Sequence, residues 1–298
     1  RAMYRVKRAG RNGGGFVSQD GGASQAAGHA ALLQQLTVEA ELIHALADGQ
    51  LFLEYQPVFD AQARRVRAVE ALVRWRRPDG HIVRPDVFIP IAEQSHLIVD
   101  IGRWVVRQAC ADLALMQQAG MDELQLNVNM AAPEFLNANL PAELLDVVND
   151  SGIAAHHVCL ELTEGMMMNH ADQVIPVMRA LRARGFRISV DDFGMGYSSL
   201  SRLKDLPISS LKIDRSFVHA LPHDARDSAI VQSIVDIGRN MNLAVIAEGV
   251  ELGSQLQHLR RLGCHLVQGY LTGRPMPLAA LIDTHGARAA AQCPLNVH

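Results

Sequence analysis

The sequence predicts an α/β protein built as a modified TIM (β/α)8 barrel whose antiparallel first strand departs from the ideal. Three observations carry that prediction. Short apolar runs alternate with helical stretches between residues 32 and 285, which calls for parallel pairing across helical crossovers. The first two runs are separated by too few residues for such a crossover, so they form an antiparallel pair. Polar side chains recur at the C-terminal end of nearly every run after the first, which is where a barrel of this kind carries its chemistry. An open doubly wound sheet is the alternative reading.

Along the chain, RAMYRVKRAGRN (1–12) has no starting methionine and reads as the basic end of a helix closed by Gly10. Residues 13–31 are rich in Gly, Ser and Ala, with too few large apolar groups to pack, and read as a flexible linker. From Leu32 the apolar residues Leu32, Leu36, Ala40, Ile43 and Leu46 recur at helical spacing and open the main domain, 32–285, ahead of a tail at 286–298. LFLEYQPVFD (51–60) and RVRAVEALVRW (65–75) are the antiparallel pair, rich in aliphatic, β-branched and aromatic residues. The remaining strands are expected near 124–129, 157–162, 186–191, 209–213, 243–247 and 264–268.

Composition narrows the function classes. At 298 residues and 49% hydrophobic content the chain can bury a sizeable core. A net charge of -3 argues against a duplex nucleic-acid partner, although a few placed cations could hold a small anion. Cys110, Cys159, Cys264 and Cys293 show no Cys-x-x-Cys spacing, which excludes a zinc cluster of that type and points to a reducing compartment. No apolar stretch is long enough to cross a membrane, so a cytoplasmic domain is expected, with an inner-membrane anchor elsewhere in the full-length protein left open.

SVDDFGMGYSS (189–199) poses the chemical question, because Asp191 and Asp192 stand side by side where a strand gives way to a loop. Adjacent acids repel unless a positive partner sits between them. The strand ends also offer Glu70, Asn129, Glu161, Lys212, Asp214, Glu248 and Gln268. Any one of these alone reads as a solvated rim residue; together they make an all-oxygen donor set suited to Mg²⁺ or Mn²⁺, with two ions shared by the adjacent acids. Gly194 and Gly196 allow a sharp turn there, and the third glycine of a dinucleotide-binding loop is missing. The 13 histidines show no metal-binding spacing, and His156 and His157 read as surface or packing residues.

The motifs EALVRW (70–75), NVNM (127–130), ELTE (161–164), DDFGMGYSSL (191–200), LKIDRSFV (211–218), AEGVE (247–251) and QGYLTGRP (268–275) together resemble the EAL family of cyclic di-GMP phosphodiesterases. The segment AMYRVKRAGRN is similar to the end of a GGDEF, or diguanylate cyclase, domain, which implies an upstream domain in a longer chain. The resemblance implies that Glu70, Asn129, Glu161 and Asp191 bind one ion, and that Asp191 bridges to a second held by Asp192 and Glu248. It implies that Lys212 and Glu248 position or activate the attacking water and that Glu164 steadies the loop after Asp192. Gln56, Leu72, Arg74, Glu251, Gln268 and Tyr270 fall at the family's substrate contacts. In-line attack of water on one phosphorus of cyclic di-GMP would give linear pGpG and lower the level of this bacterial second messenger.

Met195, Ala131 and the Thr272–Gly273 pair depart from the family pattern without removing a ligand; Met195 puts turnover rate and dimer coupling in doubt. The family also implies a homodimer through the loop after Asp192 and its following helix. A non-hydrolysing cyclic di-GMP receptor is the runner-up function, and a barrel enzyme acting on another phosphate or carboxylate substrate is what the residues suggest without the motifs.

Overall fold

The structure is a computed structural model that describes residues 36–195 and 203–286. The expectations for residues 1–31, for the loop 196–202 and for the tail from 287 lie outside the described residues. The helix expected from Leu32 is described over 36–47 and leads into strand β1, Leu51–Asp60. Then come β2 (Arg65–Arg76), β3 (Ile82–Val83), β4 (Gln125–Asn129), β5 (Val158–Thr163), β6 (Arg187–Phe193), β7 (Ser210–Ile213), β8 (Ala244–Ala247) and β9 (Leu266–Gln268).

Eight of these strands close into a ring in the order β1-β9-β8-β7-β6-β5-β4-β2, shut by the β1–β2 pairing. β1 runs antiparallel to both β2 and β9, while β2 and β4 to β9 pair in parallel. The closed ring decides the architecture in favour of the barrel over the open sheet. Only β3, a two-residue strand on the outer side of β2, had no counterpart in the sequence reading.

The period-2 alternation of each strand separates two environments. Outward residues such as Val69, Leu126, Val128, Leu160, Leu162, Ile188, Val190, Leu211 and Ile213 are fully buried in one continuous core shared with the surrounding helices. Helix Leu97–Gln118 shows how: Ile98, Ile101, Val105, Ala109, Leu113 and Met116 recur at spacings of three and four, forming one apolar face against the sheet. Burying each large aliphatic side chain stabilises by about 1.5–3 kcal/mol.

Inward positions carry polar groups instead. Parallel register aligns Glu70 with Asn127, Asn129 with Glu161, Glu161 with Ser189, and Thr163 with Asp191. A small separate apolar cluster of Val58, Ala68, Ile246 and Leu266 fills the lumen below them. The barrel is therefore apolar outside, apolar at its lower end and strongly polar at the C-terminal ends of the parallel strands. Among the described residues, no helix is long and apolar enough to cross a membrane.

Candidate active site

Lys212 organises the polar end of the barrel. It is fully buried on β7, and its Nζ reaches four carboxylates from four different strand ends: Glu248 Oε1 at 2.7 Å, Glu161 Oε2 at 2.9 Å, Glu70 Oε2 at 3.3 Å and Asp191 Oδ1 at 3.5 Å. Amide side chains add hydrogen bonds to two of these acids, Glu70 and Glu161. Asn129 Nδ2 donates to Glu70 Oε1 (2.6 Å), Gln268 Nε2 to Glu70 Oε2 (2.6 Å), and Asn127 Nδ2 to Glu161 Oε1 (2.8 Å). The first positive partner of Asp191 is thus a lysine of the chain itself, where the sequence had suggested only metal.

The two adjacent aspartates reach the same rim through a break in the strand. Neighbouring residues of a regular strand point to opposite faces. Between Val190 and Phe193 the β6–β7 register shifts, and Asp192 adopts φ 53, a left-handed conformation uncommon for a side-chain-bearing residue. Its backbone N–H donates to Asp191 Oδ1 at 3.0 Å. As a result, ligand atoms of Asp191, Asp192 and Glu248 lie within 4.8 Å of one another.

The electrostatics of this cluster suit a divalent cation. Burial, reinforced by the charges of Glu70 and Asp191, drives the Glu161 carboxyl well above its ordinary range despite the pull of Lys212. Burial likewise pushes Glu248 up to about 7, against Lys212 and with Asp191 adding to the rise. Asp192 is pushed up to about 6 by partial burial of its carboxyl and by the charges of Asp191 and Asp214. Glu70 is the exception: burial works to raise it, but Lys212 and the amides of Gln268 and Asn129 hold it below the usual value. The same four carboxylates keep Lys212 protonated although burial opposes its charge. Five carboxyls face one ammonium, and a hard divalent ion can replace the protons that the surplus acids would otherwise retain. An all-oxygen set of carboxylates and an amide fits Mg²⁺ or Mn²⁺ chemistry.

A groove of about 280 Å³ opens above the cluster, lined by Gln56, Leu72, Glu251, Gln268 and Tyr270 beside Glu70, Asp191 and Glu248. Five of the six substrate positions expected from sequence therefore face one cavity. Arg74 is the sixth and does not line it: its Nε donates to Glu54 Oε2 at 2.8 Å and a terminal nitrogen donates to the Val73 carbonyl at 3.1 Å. Gln268 Oε1 is buried with no hydrogen-bond partner in the structure, an orphaned acceptor at the groove floor. Glu164 stands apart from the carboxylate cluster, and its Oε2 accepts the Gly194 N–H at 3.0 Å, tying the helix after β5 to the segment that follows Asp192.

Sequence reasoning gave no role to Asn127, Arg215 or Gly249. Asn127 was detectable, since it shares inward parity with Asn129 two residues on. The presence of Arg215 and Gly249 in the groove wall depends on how the loop after β8 packs, which no local pattern reports.

The EAL domain profile matches residues 39–275. The chain belongs to the EAL domain family. It is 43% identical over 284 residues to the cyclic di-GMP phosphodiesterase NbdA of Pseudomonas aeruginosa, covering 94% of this chain and 35% of that protein. To the bifunctional diguanylate cyclase/cyclic di-GMP phosphodiesterase MucR of the same organism it is 42% identical over 281 residues, covering 94% of this chain and 40% of that one. The EAL domain thus spans well under half the length of these curated relatives. Its fold matches a solved structure described as the PaMucR phosphodiesterase in a c-di-GMP complex, with TM-score 0.79 and 43% identity, covering 82% of this chain and 99% of that one.

Proposed function

We propose that this EAL domain is a metal-dependent phosphodiesterase that hydrolyses cyclic di-GMP to linear pGpG. The observation that carries the reading is the set of carboxylates gathered around Lys212 and Asp191 at the floor of a groove whose walls hold Gln56, Leu72, Glu251, Gln268 and Tyr270. Similarity to proteins named as cyclic di-GMP phosphodiesterases supports the choice of substrate.

Glu70, Asn129, Glu161, Asp191, Asp192 and Glu248 are assigned to hold two Mg²⁺ or Mn²⁺ ions. Bound there, the ions supply Lewis-acid stabilisation of charge at the reacting phosphate and lower the pKa of water. The chain's own groups do the rest. Lys212 Nζ, bound to four carboxylates, positions the attacking water through the acids it holds in place. Glu248, beside Lys212 and Asp191, accepts the water's proton on its carboxylate. Tyr270, exposed at the rim, offers a guanine the ring face opposite the one on which Arg274 stacks, and Gln268 Oε1, without a partner among the described residues, offers an acceptor to a guanine N–H or a water. The Glu164–Gly194 hydrogen bond supports a mechanical link from this site to the loop after Asp192, where a homodimer contact is proposed.

Resolving nucleotides by chromatography after incubating cyclic di-GMP with the EAL domain tests this. Conversion to pGpG with Mg²⁺ or Mn²⁺, abolished by EDTA, is the expected result. Tight binding without any metal-supported turnover would establish the receptor reading instead.

A further inference from the structure

The groove wall is acidic almost throughout: Glu70, Asp191, Glu248 and Glu251 line it, and Lys212 beneath them has its ammonium shared among four carboxylates. Among the described residues lining the groove the one cation is Arg215; Arg274 is stacked on the Tyr270 ring, its guanidinium carbon 4.0 Å from the ring centroid. Arg215 follows Asp214 at the end of β7 and opens the helix Arg215–His219. No hydrogen bond or ion pair with a described residue fixes its guanidinium, although its charge is among the influences that lower the pKa of neighbouring Asp214. The carboxylate of neighbouring Asp214 already accepts the Ser216 N–H at 2.9 Å. Arg74, the arginine that the sequence offered as phosphate partner, is committed to Glu54 and lies outside the lining.

The backbone beside Arg215 packs directly against its stem. Gly249, next to Glu248, has φ +68, and a Cβ there would lie 2.5 Å from Arg215 Cβ and 3.3 Å from its Cα. Only glycine permits both that conformation and that approach, so the loop after β8 packs against the stem of Arg215, a residue of the groove lining.

A cyclic dinucleotide carries two phosphodiesters. In the proposed reaction the scissile one lies over the carboxylate cluster, with bound cations offsetting the charge. The second has no positive partner among the cluster residues, and Arg215, which lines the same cavity, carries a guanidinium fork that can match two phosphate oxygens at once. Resting on the phosphodiesterase reading above, we infer that Arg215 binds the phosphodiester that is not cut, and so selects a cyclic dinucleotide over a ligand with one phosphate.

Equilibrium binding in EDTA, where no turnover occurs, separates this from metal chemistry. Dissociation constants for cyclic di-GMP and for 3′,5′-cyclic GMP would be measured on the wild type, Arg215→Ala and Arg215→Lys. Loss of a charge-assisted contact is expected to shrink the preference for cyclic di-GMP about tenfold in Arg215→Ala. Arg215→Lys, which keeps the charge without the fork and guards against a fold defect in the alanine variant, is expected to recover part of it. An unchanged ratio in both variants would overturn the inference, as would a wild type with no preference for cyclic di-GMP. A wild type that shows the Arg215-dependent preference yet never hydrolyses cyclic di-GMP with Mg²⁺ or Mn²⁺ would leave Arg215 as assigned and refute the phosphodiesterase reading alone.

Discussion

Replacing Lys212 with Met should destabilise the fold in a way that depends on pH. The ammonium lies 2.7–3.5 Å from four carboxylates, and at an effective dielectric constant near 20 each such contact is worth about 5 kcal/mol before desolvation is subtracted. Breaking a buried ion pair by removing one partner costs about 3–5 kcal/mol net, because the charges left behind are uncompensated. The stranded carboxyls respond by taking up protons. Glu248 is already near 7 with Lys212 pulling it down, and it rises further once that pull is gone. A carboxyl whose folded pKa exceeds its unfolded value loses stability as pH rises, at up to about 1.4 kcal/mol per pH unit per proton. Urea unfolding in EDTA should therefore show a deficit of about 3–5 kcal/mol for Lys212→Met at pH 8, shrinking by about 1–3 kcal/mol at pH 6. A deficit under about 1 kcal/mol at pH 8, or the same deficit at both pH values, would refute the view of Lys212 as the keystone cation.

Other expectations can be checked separately. Asp191→Asn should lower kcat at least about a hundredfold, since even residues that merely orient metal ligands cost 10- to 100-fold, while circular dichroism stays native; near-normal hydrolysis in Mg²⁺ would contradict its assignment. Gly102→Ala should cost about 1–3 kcal/mol in urea unfolding, because the new Cβ would lie 2.0 Å from Glu134 Oε1, whose other oxygen is held by the Ala131 N–H at 2.8 Å. Burial pushes Glu134 up to about 7 from an ordinary 4.5, so wild-type stability should fall as pH rises between those values. Glu134→Gln, neutral throughout, should gain about 1–3 kcal/mol on the wild type between pH 5 and pH 8, and a constant difference would remove Glu134 as the cause. Tyr55→Phe should cost about 1–2 kcal/mol by deleting the 2.5 Å hydrogen bond to buried Asp112, whose other oxygen keeps Gln108 at 2.9 Å.

What the sequence made legible was periodic. Short apolar runs marked all eight barrel strands, and the polar residues interrupting them, Glu70, Asn129, Glu161, Asp191 and Lys212, came together because parallel register aligns the strands. Non-periodic features stayed hidden. The bulge that turns Asp191 and Asp192 to one rim is a backbone deviation, and the pairing of Arg74 with Glu54 follows from the β1–β2 register, which sets Phe52 against Arg74 and Glu54 against Leu72. Arg215 looked like an ordinary residue after a strand; it takes its place from Gly249, 34 positions away, through a tertiary contact with no local signature.

The central claim is hydrolytic opening of one of two phosphodiesters at the Lys212 carboxylate cluster. Its most direct test is mass spectrometry of the product formed from cyclic di-GMP in ¹⁸O-labelled water with Mg²⁺ or Mn²⁺. The account predicts pGpG carrying a single ¹⁸O on its terminal phosphate, formed at least about a hundredfold more slowly by Asp191→Asn. Recovery of unlabelled, intact cyclic di-GMP from the metal-supplemented wild type would contradict it.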